Sequence, residues 1–320
     1  MNNFRQMMNR LGSRREPFLF IIDFEMKMPL IYTLDNLPEN ILFDIPLAGN
    51  TTKQKRSTAE VTILKKPVTY ERYLSSFENV MKNIRHGNSY LLNLTFPTEV
   101  ITTSSLDDVF FTSRARYRLL MRNKFVVFSP ETFVRIDDNT INTFPMKGTI
   151  DGSVPDAEQK IIGDEKERAE HNTIVDLLRN DLSLVSDKVT VKRFRYIDKI
   201  ITTDRTLLQV SSQITGILDR DWFGNIGNIM VSLLPAGSVS GAPKKETVRI
   251  IRESETGDRG YYTGVFGLFN GVSLDSAVMI RFIEQNGSKY VYRSGGGITS
   301  LSDPEKEYNE LICKVYVPVG

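Results

Sequence analysis

The feature that most constrains the fold is a succession of strand-like segments. Residues 262–269, 275–284 and 289–293 are apolar or alternate between apolar and polar side chains. Residues 131–144 show the same alternation around the turn signal Asp138-Asn139 and therefore predict a hairpin. Because strands come in consecutive runs rather than in strict alternation with helices, the sequence favours an α+β fold with largely antiparallel sheets over a doubly wound fold.

Apolar spacing and turn signals assign the remaining segments. Further strands are predicted at 18–22, 28–32, 61–64, 89–96, 125–128, 189–196 and 207–215. Helices are predicted at 69–86, 106–120, 165–182, 226–234 and 247–252, and a last helix is predicted to start at Pro304 with Asp303 as its N-cap. Residues 50–58 are polar and predict a loop. We expect residues 1–66 to form a short β-rich lead-in packed on the same core as residues 67–320.

Composition excludes several classes of function. The 320 residues contain 40% hydrophobic and 25% charged residues, as in an ordinary soluble globular protein. The net charge of +2 and the pI near 8.4, without a basic run that carries interleaved aromatics, argue against a nucleic-acid partner. No apolar run approaches the ~20 residues of a membrane span, so we expect no membrane partner.

The single cysteine and the N-terminal segment bear on the cellular compartment. Cys313 excludes an internal disulfide and a multi-cysteine metal site, and we expect it to be a small buried side chain. The first fifteen residues contain four arginines and no acidic residue, as some transit peptides do. Residues 18–22 then predict a buried strand rather than the apolar region of a signal peptide. A cytoplasmic protein is therefore expected.

A lysine follows the predicted hairpin at a position with little freedom. Lys147 lies between Pro145, which stops the ladder of hydrogen bonds, and Gly148, which frees the backbone. We therefore expect Lys147 in a tight turn at the end of a strand. Most lysines beside a turn are only solvated, so the meaning of this one depends on the groups around it.

Three carboxylates lie where helical spacing predicts apolar side chains. Glu170 is aligned with the apolar residues four and seven positions later in the helix 165–182. Glu307 and Glu310 lie together at the edge of the apolar stripe of the last helix. Carboxylates at such positions need a cation, and an oxygen-only set without thiol or imidazole suits Mg²⁺. The alternative for Glu307 and Glu310 is two solvated glutamates beside neighbouring lysines.

Two glycine-containing loops are candidates for anion binding. Residues 295–297, three consecutive glycines after a predicted strand, leave backbone N–H groups bare, although a flexible turn is the alternative. Residues 235–244 form a second loop, and a helix starts at its end. Arg281, in an otherwise apolar strand, is either a strand-end residue or the partner of a bound carboxylate. Two anion sites, one Mg²⁺ and a fixed lysine predict a pocket for a small dicarboxylate.

Six motifs in one order resemble those of the chorismate-utilising enzymes. They lie within roughly residues 87–312 and occupy residues 129–133, 145–149, 169–181, 237–244, 295–298 and 302–310. The resemblance implies two large, mainly antiparallel sheets packed face to face with helices on the outside, and a chorismate-binding catalytic domain at 67–320. Within that family, anthranilate synthases have alanine at the position of Lys147. Lysine there is similar to aminodeoxychorismate synthase component I, the branch of the family that serves para-aminobenzoate and folate synthesis.

The resemblance implies amination of chorismate with ammonia to 4-amino-4-deoxychorismate. Lys147 is the implied nucleophile at ring carbon 2, and Glu131 is the implied general acid for the hydroxyl that leaves carbon 4. Glu170, Glu307 and Glu310 match the Mg²⁺ positions of the family. Because a lysine must lose its proton to attack, we expect burial and nearby Mg²⁺ to lower the pKa of Lys147.

The same resemblance implies the substrate-binding positions. The ring carboxylate is assigned to Gly148 and Thr149, and the enolpyruvyl carboxylate to Arg281, Tyr262 and the glycine triplet. The full set of implied substrate-binding residues is Gly148, Thr149, Ser240, Tyr262, Arg281, Gly295, Gly296 and Gly297.

The chain departs from the family pattern at Gln209, where most members have a histidine, and on its N-terminal side, where it is shorter. Three alternatives stay open: an anthranilate synthase, an isochorismate or salicylate synthase, and a non-catalytic chorismate-binding subunit. The isochorismate type needs a lysine base near residues 89–96, where this chain has none. Cys313 has no histidine downstream, so no glutaminase site is expected, and ammonia should come from solution or from a separate glutamine amidotransferase subunit.

Overall fold

The computed structural model describes residues 1–51, 61–201 and 206–318. The α-helices of these residues are α1 (Asn2–Ser13), α2 (Tyr70–Arg85), α3 (Leu106–Thr112), α4 (Ala157–Gly163), α5 (Glu165–Ser183), α6 (Ile226–Leu233), α7 (Gly237–Ser240), α8 (Lys244–Ser254) and α9 (Pro304–Cys313). The first nine β-strands are β1 (Phe18–Ile22), β2 (Leu30–Thr33), β3 (Ile41–Ile45), β4 (Ala48–Gly49), β5 (Leu64–Lys66), β6 (Leu91–Ile101), β7 (Tyr117–Met121), β8 (Phe125–Ser129) and β9 (Thr132–Asp137). The others are β10 (Thr140–Thr143), β11 (Met146–Asp151), β12 (Asp187–Ile201), β13 (Thr206–Ile217), β14 (Gly241–Ala242), β15 (Val265–Phe269), β16 (Leu274–Val278), β17 (Phe282–Asn286) and β18 (Lys289–Ile298).

The strands form two nine-stranded sheets, and their pairings are antiparallel. The first sheet has the order β11-β13-β10-β9-β16-β15-β1-β2, and β12 pairs with the outer side of β13. The second has the order β14-β6-β18-β17-β8-β7-β3-β4, and β5 pairs with β6. The α+β prediction is therefore confirmed, including the hairpin β9–β10, whose turn residue Asp138 has a φ of +53°.

The apolar core lies between the two sheets and under the outer helices. The completely buried strand β1 shows this division, because its side chains alternate between two layers. Leu19 and Ile21 pack in a cluster with Phe43 and Leu119 of the second sheet. The other face of β1 packs in a cluster that includes residues of α1 and α6. Burial on both faces explains why the run 18–22 is continuously apolar.

The outer helices cover the sheets by amphipathic packing. A third cluster joins the apolar faces of α2, α8 and α9 to β6. In α9, the Asp303 side chain accepts from the backbone N–H of Lys306 and Pro304 occupies the first turn, which confirms the predicted start of this helix. Sequence reasoning missed α1, although its buried residues Phe4, Met8 and Leu11 follow helical spacing.

Two predictions about single segments are wrong. The predicted helix 106–120 ends at Thr112, and residues 117–121 form β7 instead, because pairing with β3 and β8 outweighs local propensity. Cys313 is exposed rather than buried, since it lies on the outer side of the last turn of α9.

Three further predictions concern a loop, a domain boundary and membrane-spanning segments. Most of the loop predicted at 50–58 lies outside the described residues. The boundary between a lead-in at 1–66 and a larger unit at 67–320 stays a prediction. The part of the chain that the structure describes contains no helix long and apolar enough to cross a membrane.

Candidate active site

A cavity of about 180 Å³ lies where β11, β6 and β18 meet the segment around α7. It brings together most of the residues predicted for the site. The predicted residues that line it are Glu131, Lys147, Glu170, Ser240, Tyr262, Arg281, Gly295 and Gly297. The predicted residues outside this lining are Gly148, Thr149, Gly296, Glu307 and Glu310.

Lys147 faces the cavity from inside β11 rather than from a turn beyond a strand. Lys147 pairs with Val210 of β13, and the register shifts between Lys147 and Thr149 around Gly148, whose φ is +78°. A bulge of this kind re-aims a side chain relative to its strand. The Lys147 ammonium lies 2.7 Å from Glu170 Oε2, which α5 presents to the same cavity.

The pKa of Lys147 is raised, not lowered as predicted. Burial acts to lower the pKa, but the carboxylates of Glu170, Glu167 and Glu310 favour the charged ammonium and prevail. The prediction is therefore wrong for the protein by itself, because it counted burial and not the acidic residues that α5 and α9 bring to the lysine. In this arrangement Lys147 and Glu170 form an ion pair.

The carboxylates of Glu307 and Glu310 lie close to each other beside Gly296 of β18. A Cβ atom at Gly296 would lie 3.4 Å from Glu307 Oε2 and 3.5 Å from Glu310 Oε1, so glycine keeps this space open. Glu307 accepts from Ser302 Oγ at 2.9 Å, and Glu310 lies 2.6 Å from Lys314 Nζ.

These carboxylates have the donor chemistry that Mg²⁺ prefers, but they are not assembled around one point. In the described part of the chain, no three histidine, cysteine or acidic side chains are arranged to hold a metal ion. Glu170 is turned toward Lys147, while Glu307 and Glu310 face Gly296. To bind the same metal ion as Glu307 and Glu310, Glu170 would have to give up its ion pair with the ammonium of Lys147.

Glu131 is the candidate acid in the lining of the cavity. It is partly buried at the start of β9, and Ser238 Oγ donates a hydrogen bond to Glu131 Oε1. Burial raises the pKa of Glu131, and the opposing effects of Ser238, Lys314 and Arg281 are smaller.

Arg281 supplies a positive charge to the lining of the cavity. Its φ of +54° places it at the break between β16 and β17 rather than inside one continuous strand. Among the described residues, no carboxylate lies within 4.0 Å of its guanidinium. Its guanidinium approaches the carbonyl oxygen of Lys314 at 3.5 Å and lies 4.9 Å from the centre of the Tyr316 ring, whose hydroxyl also interacts with it. Arg281 is therefore available to bind an anion.

Sequence reasoning missed several polar residues that line the cavity, among them Lys314, Arg293 and Asn93. Lys314, one turn after Glu310, also donates to the Gly295 carbonyl at 2.9 Å. Arg293 is paired with Glu284 at 2.7 Å. Asn93 lies in β6, and its Oδ1 atom is buried without a hydrogen-bond partner. The position of Asn93 as the polar side chain in the run 91–94 was the one signal available.

The glycine triplet does not form the predicted nest. All three glycines lie inside β18, in register with residues 93–95 of β6, and the pairing of β18 with β17 ends at Arg293. Thr149 is exposed, and its hydroxyl accepts from Gln209 Nε2 at 3.4 Å across β11 and β13. The roles predicted for these residues in binding the substrate stay predictions.

Comparison with known proteins agrees with this fold. The chorismate binding enzyme family matches residues 33–319. An uncharacterised PabA-like protein of Pasteurella multocida is 52% identical over 322 residues, which cover 100% of this chain and 99% of that protein. A PabA-like protein of Haemophilus influenzae is 49% identical, with 100% and 97% covered. A probable chloroplastic aminodeoxychorismate synthase of Oryza sativa is 36% identical over 59% of this chain and 22% of that protein.

Two solved structures extend the comparison. Anthranilate synthase component I from Streptococcus pneumoniae superposes with a TM-score of 0.67 at 25% identity, over 80% of this chain and 59% of that one. The menaquinone-specific isochorismate synthase MenF from Escherichia coli shares the fold with a TM-score of 0.74 at 18% identity, over 98% and 80%. By sequence and by fold, the chain belongs to the family of chorismate binding enzymes.

Proposed function

We propose that this protein is an aminodeoxychorismate synthase, which aminates chorismate at ring carbon 4 with ammonia and depends on Mg²⁺. The observation that carries the proposal is Lys147, whose ammonium group faces the cavity beside Glu170. Arg281 and Lys314 lie in the lining of the same cavity. Cations on several walls suit a substrate with two carboxylates, and the amine of Lys147 offers a nucleophile to its ring.

The proposed reaction is a double displacement. Lys147, once deprotonated, forms a bond to ring carbon 2 while the two ring double bonds shift and the carbon 4 hydroxyl leaves with the proton of Glu131 as water. Ammonia then forms a bond to carbon 4, the double bonds shift back, and the bond between carbon 2 and the Lys147 amine breaks. The proton lost by the new ammonium group restores Glu131. The raised pKa of Glu131 keeps this acid protonated at higher pH than a free glutamate, as the first step requires.

Asn93 supports ammonia as the second nucleophile. Its Oδ1 atom is a buried acceptor without a partner in the lining of the cavity. A buried acceptor of this kind is costly until a donor arrives, and ammonia is a small donor. The described strand β6 contains no lysine that could act as the base for addition of water to the ring.

Glu170, Glu307 and Glu310 would hold Mg²⁺, which when bound neutralises a substrate carboxylate and stabilises charge that moves around the ring. Gly296 leaves space in front of two of these acids. Glu170 would then release Lys147 from their ion pair. Without this carboxylate beside it, Lys147 would lose its proton more readily, and attack on the ring needs an uncharged amine.

A separate glutamine amidotransferase would supply ammonia in the cell. The chain has one cysteine and two histidines, and Cys313 is exposed on α9 away from the cavity lining. We therefore expect product with ammonium salts and none with glutamine alone.

The test is incubation of the protein with chorismate, Mg²⁺ and ammonium, followed by identification of the product by mass spectrometry. Aminodeoxychorismate is the expected product, and EDTA should abolish it. Anthranilate or isochorismate would replace the proposal by one of those synthase activities, and unchanged chorismate would indicate a binding subunit.

A further inference from the structure

Arg259 is a buried cation behind the wall of the cavity, outside the set of residues that line it. It is 1% exposed and forms a bidentate ion pair with Glu255, at 2.6 and 2.9 Å. Its guanidinium also lies 4.6 Å from the centre of the Phe24 ring. A buried pair of this kind often adds little net stability compared with apolar side chains, so its presence calls for a more specific explanation.

Every N–H group of the guanidinium has an acceptor. Nε and one Nη2 donor bind Glu255, and the other Nη2 donor binds the Asn93 carbonyl at 2.6 Å. Nη1 binds the Val239 carbonyl at 2.7 Å and approaches Thr263 Oγ1 at 3.4 Å. Five donors meet five acceptors in the fixed fork of arginine, which the three donors of a lysine cannot reproduce.

Two of these acceptors belong to two neighbouring elements of the cavity wall, β6 and α7, and β14, which follows α7, pairs with β6 at Gly241 and Leu92. Asn93 lies in β6, and Val239 lies in α7 directly after Ser238, the residue that donates to Glu131. Glu255 adds a second attachment to β6, because its Oε1 atom accepts the backbone N–H of Thr95 at 2.9 Å. The pair of Arg259 and Glu255 therefore adds a side-chain link between the β6 wall and the α7 wall to the backbone pairing of β14 with β6.

We propose that Arg259 is a positioning residue that sets the distance between the carboxamide of Asn93 and the Ser238–Glu131 pair. This inference rests on the proposed function, in which Asn93 receives ammonia and Glu131 protonates the hydroxyl that leaves the same ring carbon. Both groups must reach one carbon atom, so a small displacement of either wall separates them. Misplacement of about 1 Å can cost on the order of a hundredfold in rate.

The variant that tests this proposal is Arg259→Lys, which keeps the positive charge toward Glu255 but cannot hold both carbonyls. The matched control is Arg249→Lys. Arg249 pairs with Glu253 at 2.7 Å with the same i,i+4 spacing, but on the exposed side of α8. Both variants should fold, which thermal unfolding and circular dichroism would establish.

Steady-state kinetics provide the first measurement. For Arg259→Lys we expect kcat to fall about tenfold or more and KM for ammonium to rise about tenfold. KM for chorismate should stay within about threefold, because Arg281 and Lys314 do not contact Arg259. Unchanged constants in a folded variant, or a loss of active molecules with unchanged KM values, would reduce Arg259 to a purely structural residue and overturn the proposal.

Hydrogen exchange provides a measurement that does not depend on turnover. In Arg259→Lys, peptides that cover residues 91–96 and 237–243 should exchange faster than in the wild type and in Arg249→Lys. Wild-type exchange rates in both peptides would overturn the proposal that Arg259 holds these two segments together. If wild-type protein forms no aminodeoxychorismate, the proposed function fails, but the exchange result still decides whether Arg259 joins these segments.

Discussion

Replacement of Arg281 by methionine tests whether the cavity binds a dianion. Arg281 lines the cavity, and among the described residues no carboxylate lies within ion-pair distance of it. Its removal therefore leaves no protein acid without a partner. The substitution should weaken binding of chorismate while it leaves the fold intact.

The magnitude follows from the hydrogen bonds that a guanidinium makes to a carboxylate. Hydrogen bonds to charged groups contribute about 1.5–3 kcal/mol each. Loss of about 2–3 kcal/mol corresponds to a decrease in affinity of roughly 30- to 150-fold. The free energy of unfolding should stay equal or rise slightly, because a partly buried guanidinium without a counter-charge is costly to desolvate.

The matched control is Arg293→Met, in the same cavity. Arg293 lies 2.7 Å from Glu284, and the two side chains are 21% and 25% exposed. Its replacement should lower the free energy of unfolding by up to about 1 kcal/mol, since the pair is partly solvated. Because this guanidinium already has a carboxylate partner, the affinity for chorismate should change less.

Isothermal titration with chorismate in the absence of ammonium gives the affinities, and thermal unfolding gives the stabilities. The two variants should show opposite signatures, with lost affinity in Arg281→Met and lost stability in Arg293→Met. Wild-type affinity in Arg281→Met would refute the assignment of this residue to a substrate carboxylate.

Three further predictions concern the chemistry of the site. Lys147→Ala should lose most amination at neutral pH because no nucleophile remains, and wild-type turnover measured by mass spectrometry would remove that role. The pKa of Glu131 is raised, so kcat should fall as the pH rises through that pKa and the acid loses its proton. Glu131→Gln should abolish this limb of the pH profile, and a variant with the wild-type profile would exclude Glu131 as the acid. Gly296→Ala would place a methyl group 3.4–3.5 Å from Glu307 and Glu310. The dissociation constant for Mg²⁺, measured by titration, should therefore rise about tenfold with little change in thermal stability. Unchanged Mg²⁺ affinity would argue against a metal at these acids.

Local pattern was sufficient for the class of fold and for several groups of the cavity, whereas Glu131, Ser240 and Tyr262 could be named only from the family resemblance. The consecutive strands predicted antiparallel sheets, and the run 18–22 predicted a strand that is buried on both faces. The position of Glu170 could be predicted because a carboxylate occupies an apolar position of α5. Its side chain is 10% exposed in the structure. Periodicity reports burial directly, so these features could be obtained without knowledge of any long-range contact.

Contacts between residues distant in sequence could not be obtained in this way. The sequence suggested a lysine with a lowered pKa, whereas α5 and α9 place carboxylates around Lys147 that raise it. The sequence predicts an anion-binding nest at 295–297, with a flexible turn as the alternative, because glycine has little strand propensity, yet pairing with β6 makes the triplet a strand.

The amino-acid sequence alone thus determined which residue types the chain carries, which of them alternate into sheets and which acidic side chains depart from an apolar pattern. Only the tertiary structure decided that Asn93, Lys314 and Arg281 share one cavity, and that Arg259 joins two of its walls. The physical reason is that burial follows from local periodicity, whereas charge environment and the position of a side chain in a site depend on how the two sheets and the outer helices pack.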